Sequence, residues 1–92
     1  MYVRQTLLKN ASGLHARPAS ELVARAKGFS SQVLIRNADK PDTQPVNAKS
    51  IVRLLSVGLS AGTTVEISAD GPDEQEAVTQ LITLIDSGFG EE

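Results

Sequence analysis

From Thr64 to Asp70 the chain alternates strictly, with Val65, Ile67 and Ala69 pointing one way and Thr64, Glu66 and Ser68 the other. A segment with that period is a strand with one buried face, so the chain must build a sheet that is covered on one side. The remaining elements follow from changes of period. Tyr2 to Lys9 reads as a strand, with Val3, Gln5 and Leu7 on one side and Tyr2, Arg4, Thr6 and Leu8 on the other. Asn10-Ala11-Ser12-Gly13 breaks it with turn chemistry. From Ala16 the spacing becomes helical: Ala19, Leu22, Val23 and Ala26 share one face of a helix that ends near Gly28.

Gln32 to Arg36 is a short second strand centred on Val33-Leu34-Ile35, and Asn37 to Asp42, with Pro41 inside, reads as a loop. A third strand is expected over Thr43 to Val46. Ser50 has the character of an N-cap, because Ile51, Leu54 and Leu55 then share a helical face. Pro72-Asp73 opens the last helix, where Asp73 and Glu76 have capping-box spacing and Ala77, Val78, Leu81, Ile82 and Ile85 form a buried stripe. The order βαββαβα predicts an α+β fold, with helices segregated on one face of a mostly antiparallel sheet. Ninety-two residues without a linker-like stretch suit one domain, 1–92.

Several function classes are disfavoured early. The chain has no cysteine and one histidine, which removes disulfide, thiolate and metal-cluster chemistry; no metal is expected. There is no Gly-x-x-x-x-Gly-Lys loop for a nucleotide and no second nucleophile, so no cofactor is expected and an independent enzyme is disfavoured. The early charge at Arg4 is not followed by a long apolar stretch, and no run is long enough to cross a bilayer, so no membrane insertion is expected and the cytoplasm is the simplest location. All nine basic residues lie between Arg4 and Arg53 against three acids, whereas eight acids and no base follow from Leu54 onward. That asymmetry suits an acidic protein partner, although a solvated surface explains it as well. Nucleic acid is disfavoured, since the whole chain is acidic and only Tyr2, Phe29 and Phe89 are available to stack on bases.

Gly13-Leu14-His15-Ala16-Arg17-Pro18-Ala19-Ser20 stands where a loop becomes a helix. The first helical turn presents N–H groups without an internal partner, and the helix dipole adds positive potential, so such a terminus accepts anions. Pro18 costs little there, because its missing N–H has no helical partner to lose. A neutral imidazole at His15 is a competent nucleophile near neutral pH. Once it carries a phosphoryl group, the new charge lies beside the N–H groups around Ala16 and the Arg17 guanidinium, which can bond phosphate oxygens in a fork. Such groups stabilise the charge on a transferring phosphoryl group, which is most of what this step demands.

Those residues, together with Asn47-Ala48-Lys49-Ser50-Ile51, Ser56-Val57-Gly58 and the βαββαβα order, resemble HPr, the histidine-containing phosphocarrier of the bacterial phosphoenolpyruvate-dependent sugar phosphotransferase system. The likeness runs from about Tyr2 to Gly88. It implies an open-faced sandwich in which three helices cover one side of a four-stranded antiparallel sheet. It implies phosphorylation of His15 on Nδ1 by enzyme I and transfer to IIA components of sugar permeases, with Arg17 as the phosphate-binding arginine. Ser50 matches the family's regulatory serine, the target in many Gram-positive bacteria of an ATP-dependent HPr kinase/phosphorylase. Two departures stand out. The stretch from Arg36 to Val46 is a few residues longer than usual, and Val52-Arg53 replaces the Met-Gly pair of many members.

Ser50 as helix cap and Ser50 as phosphorylation site are compatible expectations. Val52 falls beside the buried stripe of its helix and is expected to dock partners, framed by Lys49 and Arg53, whereas Leu55 is expected in the core, with an exposed edge that adds to the same patch. Two alternatives stand beside the carrier. One is a non-carrier regulatory module switched at Ser50, as in relatives whose histidine is replaced. The other is a small-molecule-binding α+β domain, which leaves the Gly13 to Ala19 segment unexplained. A monomer suits a shuttle that presents one face to successive partners.

Overall fold

The computed structural model describes residues 1–11, 13–40 and 42–90; the expected turn at Ser12 and loop position Pro41 lie outside them. The chain order is β1 (Tyr2–Leu7), α1 (Ala16–Ala26), β2 (Gln32–Asn37), β3 (Val46–Asn47), α2 (Ile51–Ser56), β4 (Thr64–Asp70) and α3 (Glu74–Asp86), then a short 3₁₀ turn, Gly88–Gly90. The strands form one antiparallel sheet in the order β1-β4-β2-β3, with three helices on one face, as expected. The alternating strand, β4, lies inside this sheet. It pairs with β1 from Tyr2↔Ala69 to Leu7↔Thr64 and with β2 from Gln32↔Asp70 to Asn37↔Val65.

The core lies between sheet and helices. Val33, Ile35, Val65 and Ile67 are fully buried on the inner face, against Ala19, Leu22 and Ala26 of α1 and Ala77, Val78, Leu81 and Ile85 of α3. Each valine, leucine and isoleucine among them contributes about 1.5–3 kcal/mol of transfer free energy. Ile82 lies at the edge of the α3 stripe, half-buried. On the outer face, Glu66 accepts from Arg36 Nε at 2.9 Å and Nη2 at 3.1 Å, and from Gln5 Nε2 at 3.1 Å, which ties three strands together. The Arg36 guanidinium is the main reason the Glu66 carboxyl lies below the usual carboxylate range.

Four local expectations are corrected. β1 ends at Leu7 rather than Lys9, although Leu8 N–H still donates to Thr63 O at 2.8 Å. β3 is only Val46–Asn47, because Pro45 has no N–H for a ladder and Thr43 is held in a turn, its hydroxyl donating to Lys40 O at 2.7 Å. The capping box at Asp73 does not form. Its carboxylate instead accepts from the N–H groups of Ser30 and Ser31, both at 2.9 Å, and from the Ser31 hydroxyl, so it fastens the α1–β2 turn to the start of α3. Phe89 is buried, with only 3% of its surface exposed, and so is not available for stacking on bases.

The long segment after β2 is bent back onto the sheet. Asn37 Oδ1 accepts from Asp39 N–H at 2.9 Å, and Asp39 Oδ2 accepts from Thr64 N–H at 3.0 Å, which caps the first residue of β4.

Candidate functional site

The loop that enters α1 is clamped from below. Gly13 has φ +65°, and a Cβ built on it would lie 2.9 Å from Leu59 O and from Ser60 Cα. Both the left-handed backbone and the close approach require glycine. Beside it, Leu14 is buried and its N–H donates to Leu59 O at 2.9 Å. Asn10 Nδ2 donates to Gly13 O at 2.8 Å, and Gly13 N–H donates to Asn10 O at 3.0 Å, which closes the turn. Leu14 points inward, and the next residue, His15, is exposed.

His15 occupies the N-cap position of α1 with an extended backbone, φ −90° and ψ −166°. Its carbonyl accepts from Ala19 N–H at 2.9 Å, but its imidazole does not cap the helix. The helix therefore starts on the main chain of His15 and is not capped by its ring. Ala16 and Arg17 are exposed and Pro18 is buried. No acidic residue lies in the first turn, so the positive end of the helix dipole is not offset there. Arg17 Nη1 lies 3.8 Å from Glu21 Oε1, one turn on; both side chains are largely exposed, and a pair of that length is weak. The arrangement suits a multiply charged anion arriving at His15.

α2 lies beyond this clamp, and its loop supplies it. Ser50 Oγ accepts from Arg53 N–H at 3.3 Å, a long cap bond, and Ser50 O accepts from Leu54 N–H at 2.9 Å. Pro45, Val46, Asn47, Ser50 and Arg53 line an open recess at this end of the helix. Ala48 is buried, its N–H donating to Val33 O at 2.9 Å, and Asn47 Oδ1 accepts from Lys49 N–H at 2.9 Å. Lys49 is half-buried and its ammonium donates to Phe29 O at 2.7 Å, which fastens α2 to the end of α1.

Leu54 is the fully buried anchor of α2, whereas Leu55 is 41% exposed and Val52 74% exposed. The core placement expected for Leu55 is thus overturned. A six-residue helix has room for one inward stripe, and the core takes Leu54 with part of Ile51. Val52 and Leu55, three apart, share the outward face with exposed Arg53 beside them. The sequence did not reveal the Leu14–Leu59 clamp or the anchoring of Lys49, although the small residues around Gly13 and Gly58 were a signal of tight packing. Among the described residues no group of three or more His, Cys, Asp or Glu side chains is placed to hold a metal ion. No helix there is long and apolar enough to cross a membrane.

Residues 3–87 match the family described as "PTS HPr component phosphorylation site". The chain is 39% identical to the phosphocarrier protein NPr of Escherichia coli K12 over 93 residues, covering all of both. It is 42% identical over 84 residues to a multiphosphoryl transfer protein of Vibrio cholerae; that alignment takes 91% of this chain but only 21% of the longer protein. In three dimensions it resembles an HPr from Thermoanaerobacter tengcongensis with a TM-score of 0.90 and 47% identity, over 100% of this chain and 99% of the other.

Proposed function

The chain belongs to the HPr family of phosphocarriers of the phosphotransferase system, and on that premise we propose that His15 is the residue that carries the phosphoryl group. The observation that carries this reading is the division of labour at His15: its carbonyl starts α1 while its imidazole stands exposed at a helix start without an acid. The lone pair of a neutral ring nitrogen, Nδ1 by likeness to the family, attacks phosphorus. The bond between phosphorus and the donor nitrogen of phospho-enzyme I breaks as the new N–P bond forms. The N–H groups at Ala16 and Arg17, with the Arg17 guanidinium, receive the phosphoryl oxygens.

The acceptor is a IIA domain, and the whole exchange belongs in the cytoplasm. The protein acts as a covalent intermediate rather than an independent enzyme, and each partner completes the site. Val52 and Leu55, with Arg53 beside them, form the docking patch; Lys49 supports it by holding α2 against α1. Interfaces of this kind are small and partly electrostatic.

The test is an intact-mass assay with phosphoenolpyruvate, magnesium and enzyme I, comparing wild type with His15→Ala. One acid-labile phosphoryl group on the wild type alone supports the reading, and label on the variant sinks it. A second reading, regulation at Ser50 by an ATP-dependent kinase, is favoured by one observation: the serine hydroxyl makes only a 3.3 Å cap bond beside an open recess. Incubation with such a kinase and ATP, read by mass on wild type and Ser50→Ala, decides it.

A further inference from the structure

Of the eight Asp and Asn residues in the chain, only Asp70 is followed by glycine. An aspartyl residue is most open to attack by the next main-chain nitrogen when that next residue is glycine, which has no side chain to hinder the approach. The fold keeps this pair all the same. A Cβ on Gly71 would lie 2.6 Å from Ser31 Oγ and 2.7 Å from Ser31 Cα, so only glycine fits where the β4–α3 turn passes the residue before β2. Asp70 is exposed and is the last residue of β4, paired with Gln32, and the ends of a ladder are where it frays first. Gly71 N–H donates to Glu74 Oε1 at 3.1 Å, which anchors the peptide plane between Asp70 and Gly71.

We propose that Asp70-Gly71 is a site of spontaneous modification, where Asp70 closes to a succinimide and reopens as isoaspartate, and that the Gly71–Glu74 hydrogen bond sets its rate in the folded chain. The Gly71 nitrogen bonds to Asp70 Cγ, and the amide proton leaves with the carboxyl hydroxyl as water. Water then adds back at either ring carbonyl. Addition at the side-chain carbonyl restores aspartate. Addition at the main-chain carbonyl routes the backbone through Cβ and Cγ and lengthens it by one methylene. Ring closure has to swing the Gly71 nitrogen toward Cγ, out of strand geometry, so the pairing with Gln32 and the bond to Glu74 must both let go. The added methylene falls three residues before Asp73, whose carboxylate accepts from the Ser30 and Ser31 N–H groups and fastens the α1–β2 turn. Isoaspartate at position 70 therefore loosens that fastening. The step uses nothing at His15.

Ageing the purified chain in warm neutral buffer, folded and in urea, tests this. Isoaspartate is counted with an L-isoaspartyl methyltransferase and methyl-labelled S-adenosylmethionine. Wild type gains label slowly when folded and much faster in urea, and a species lighter by one water appears in the intact mass. Asp70→Glu, whose longer side chain cannot close the five-membered ring, loses most of the label in both conditions; label that persists overturns the site. Glu74→Ala raises the folded rate several-fold and leaves the rate in urea unchanged, whereas Glu74→Gln keeps an acceptor and stays near wild type. A folded Glu74→Ala chain that ages no faster than wild type overturns the gate, and so does a Glu74→Gln chain that ages as fast as Glu74→Ala. Leu54→Ala lowers stability without touching this turn and ages more slowly than Glu74→Ala when folded; the reverse order makes ageing a measure of global unfolding and overturns the gate. The aged chain, separated by ion exchange, melts below the fresh one, and an equal midpoint overturns the link to Asp73.

Discussion

The N–H of Leu14 donates to the carbonyl of Leu59 at 2.9 Å, so the residue before the exposed histidine is fixed by the turn that follows α2. His15 is therefore positioned by a distant stretch of chain as well as by the local bonds between Asn10 and Gly13, and its surroundings can be tested from either side.

Gly13→Ala strains the left-handed backbone and drives a methyl group against Leu59 O. The backbone strain alone costs about 1–3 kcal/mol. Denaturant unfolding should show that loss, and the rate of phosphoryl acceptance should fall with it because His15 is displaced. A variant that matches wild type in both measurements contradicts the clamp.

His15→Ala leaves stability within about 0.5 kcal/mol, since the imidazole is exposed and does not cap α1. Acceptance of phosphate from phospho-enzyme I disappears. Pairing the melting curve with the mass assay separates loss of chemistry from loss of fold.

At Ser50 two substitutions divide two roles. Ser50→Ala removes the cap on Arg53 N–H and costs about 0.5–1 kcal/mol. Ser50→Asp keeps a capping oxygen, so stability holds, but its charge beside the docking patch slows acceptance through His15. An Asp variant as fast as wild type removes the docking role of α2.

Val52→Ser and Leu55→Ser change stability by about 0.5 kcal/mol or less. The concentration of enzyme I needed for half-maximal transfer should rise several-fold. Leu54→Ala, one residue away, costs about 2–5 kcal/mol because Leu54 is fully buried. If the three variants rank the other way in urea titrations, the faces of α2 are misassigned.

Asp73 carries an acid limit on stability. The Ser31 hydroxyl first, then the Ser30 and Ser31 N–H groups, hold its carboxyl below the usual range. A depressed folded value means the contribution is present above the unfolded pKa, near 4, and is lost as pH falls through the lower folded value. In acid titrations at fixed urea, Asp73→Asn should flatten the loss of stability below about pH 4. An unchanged slope excludes Asp73 as a source of it.

Much of this architecture was legible in the sequence because it is periodic. The alternation at Val65, Ile67 and Ala69 and the helical spacing of Ala19, Leu22, Val23 and Ala26 both reappear as buried faces. The segment around His15 was legible because a glycine, a proline and a change of period coincide there. What escaped depends on contacts between distant segments, which no local spacing encodes. In α2, Leu54 and Leu55 are equally apolar, and only the way the helix packs onto the rest of the core decides which one is buried. Asp73 has the spacing of a capping box, yet the main-chain donors of Ser30 and Ser31 claim its carboxylate first.

The position of β4 between β1 and β2 sets a timetable for synthesis. The first strand pairs with the last, Tyr2 opposite Ala69, and β2 completes its pairing only when the same strand arrives. A chain emerging from the ribosome thus carries β1 with no mate, and β2 paired only with the two-residue β3, until most of it has been made, so the sheet assembles late. Such sequence-distant pairing makes folding slower than in a helical bundle of the same length. A nascent chain cut short before Thr64 should show helical content at most, and no protected sheet amides.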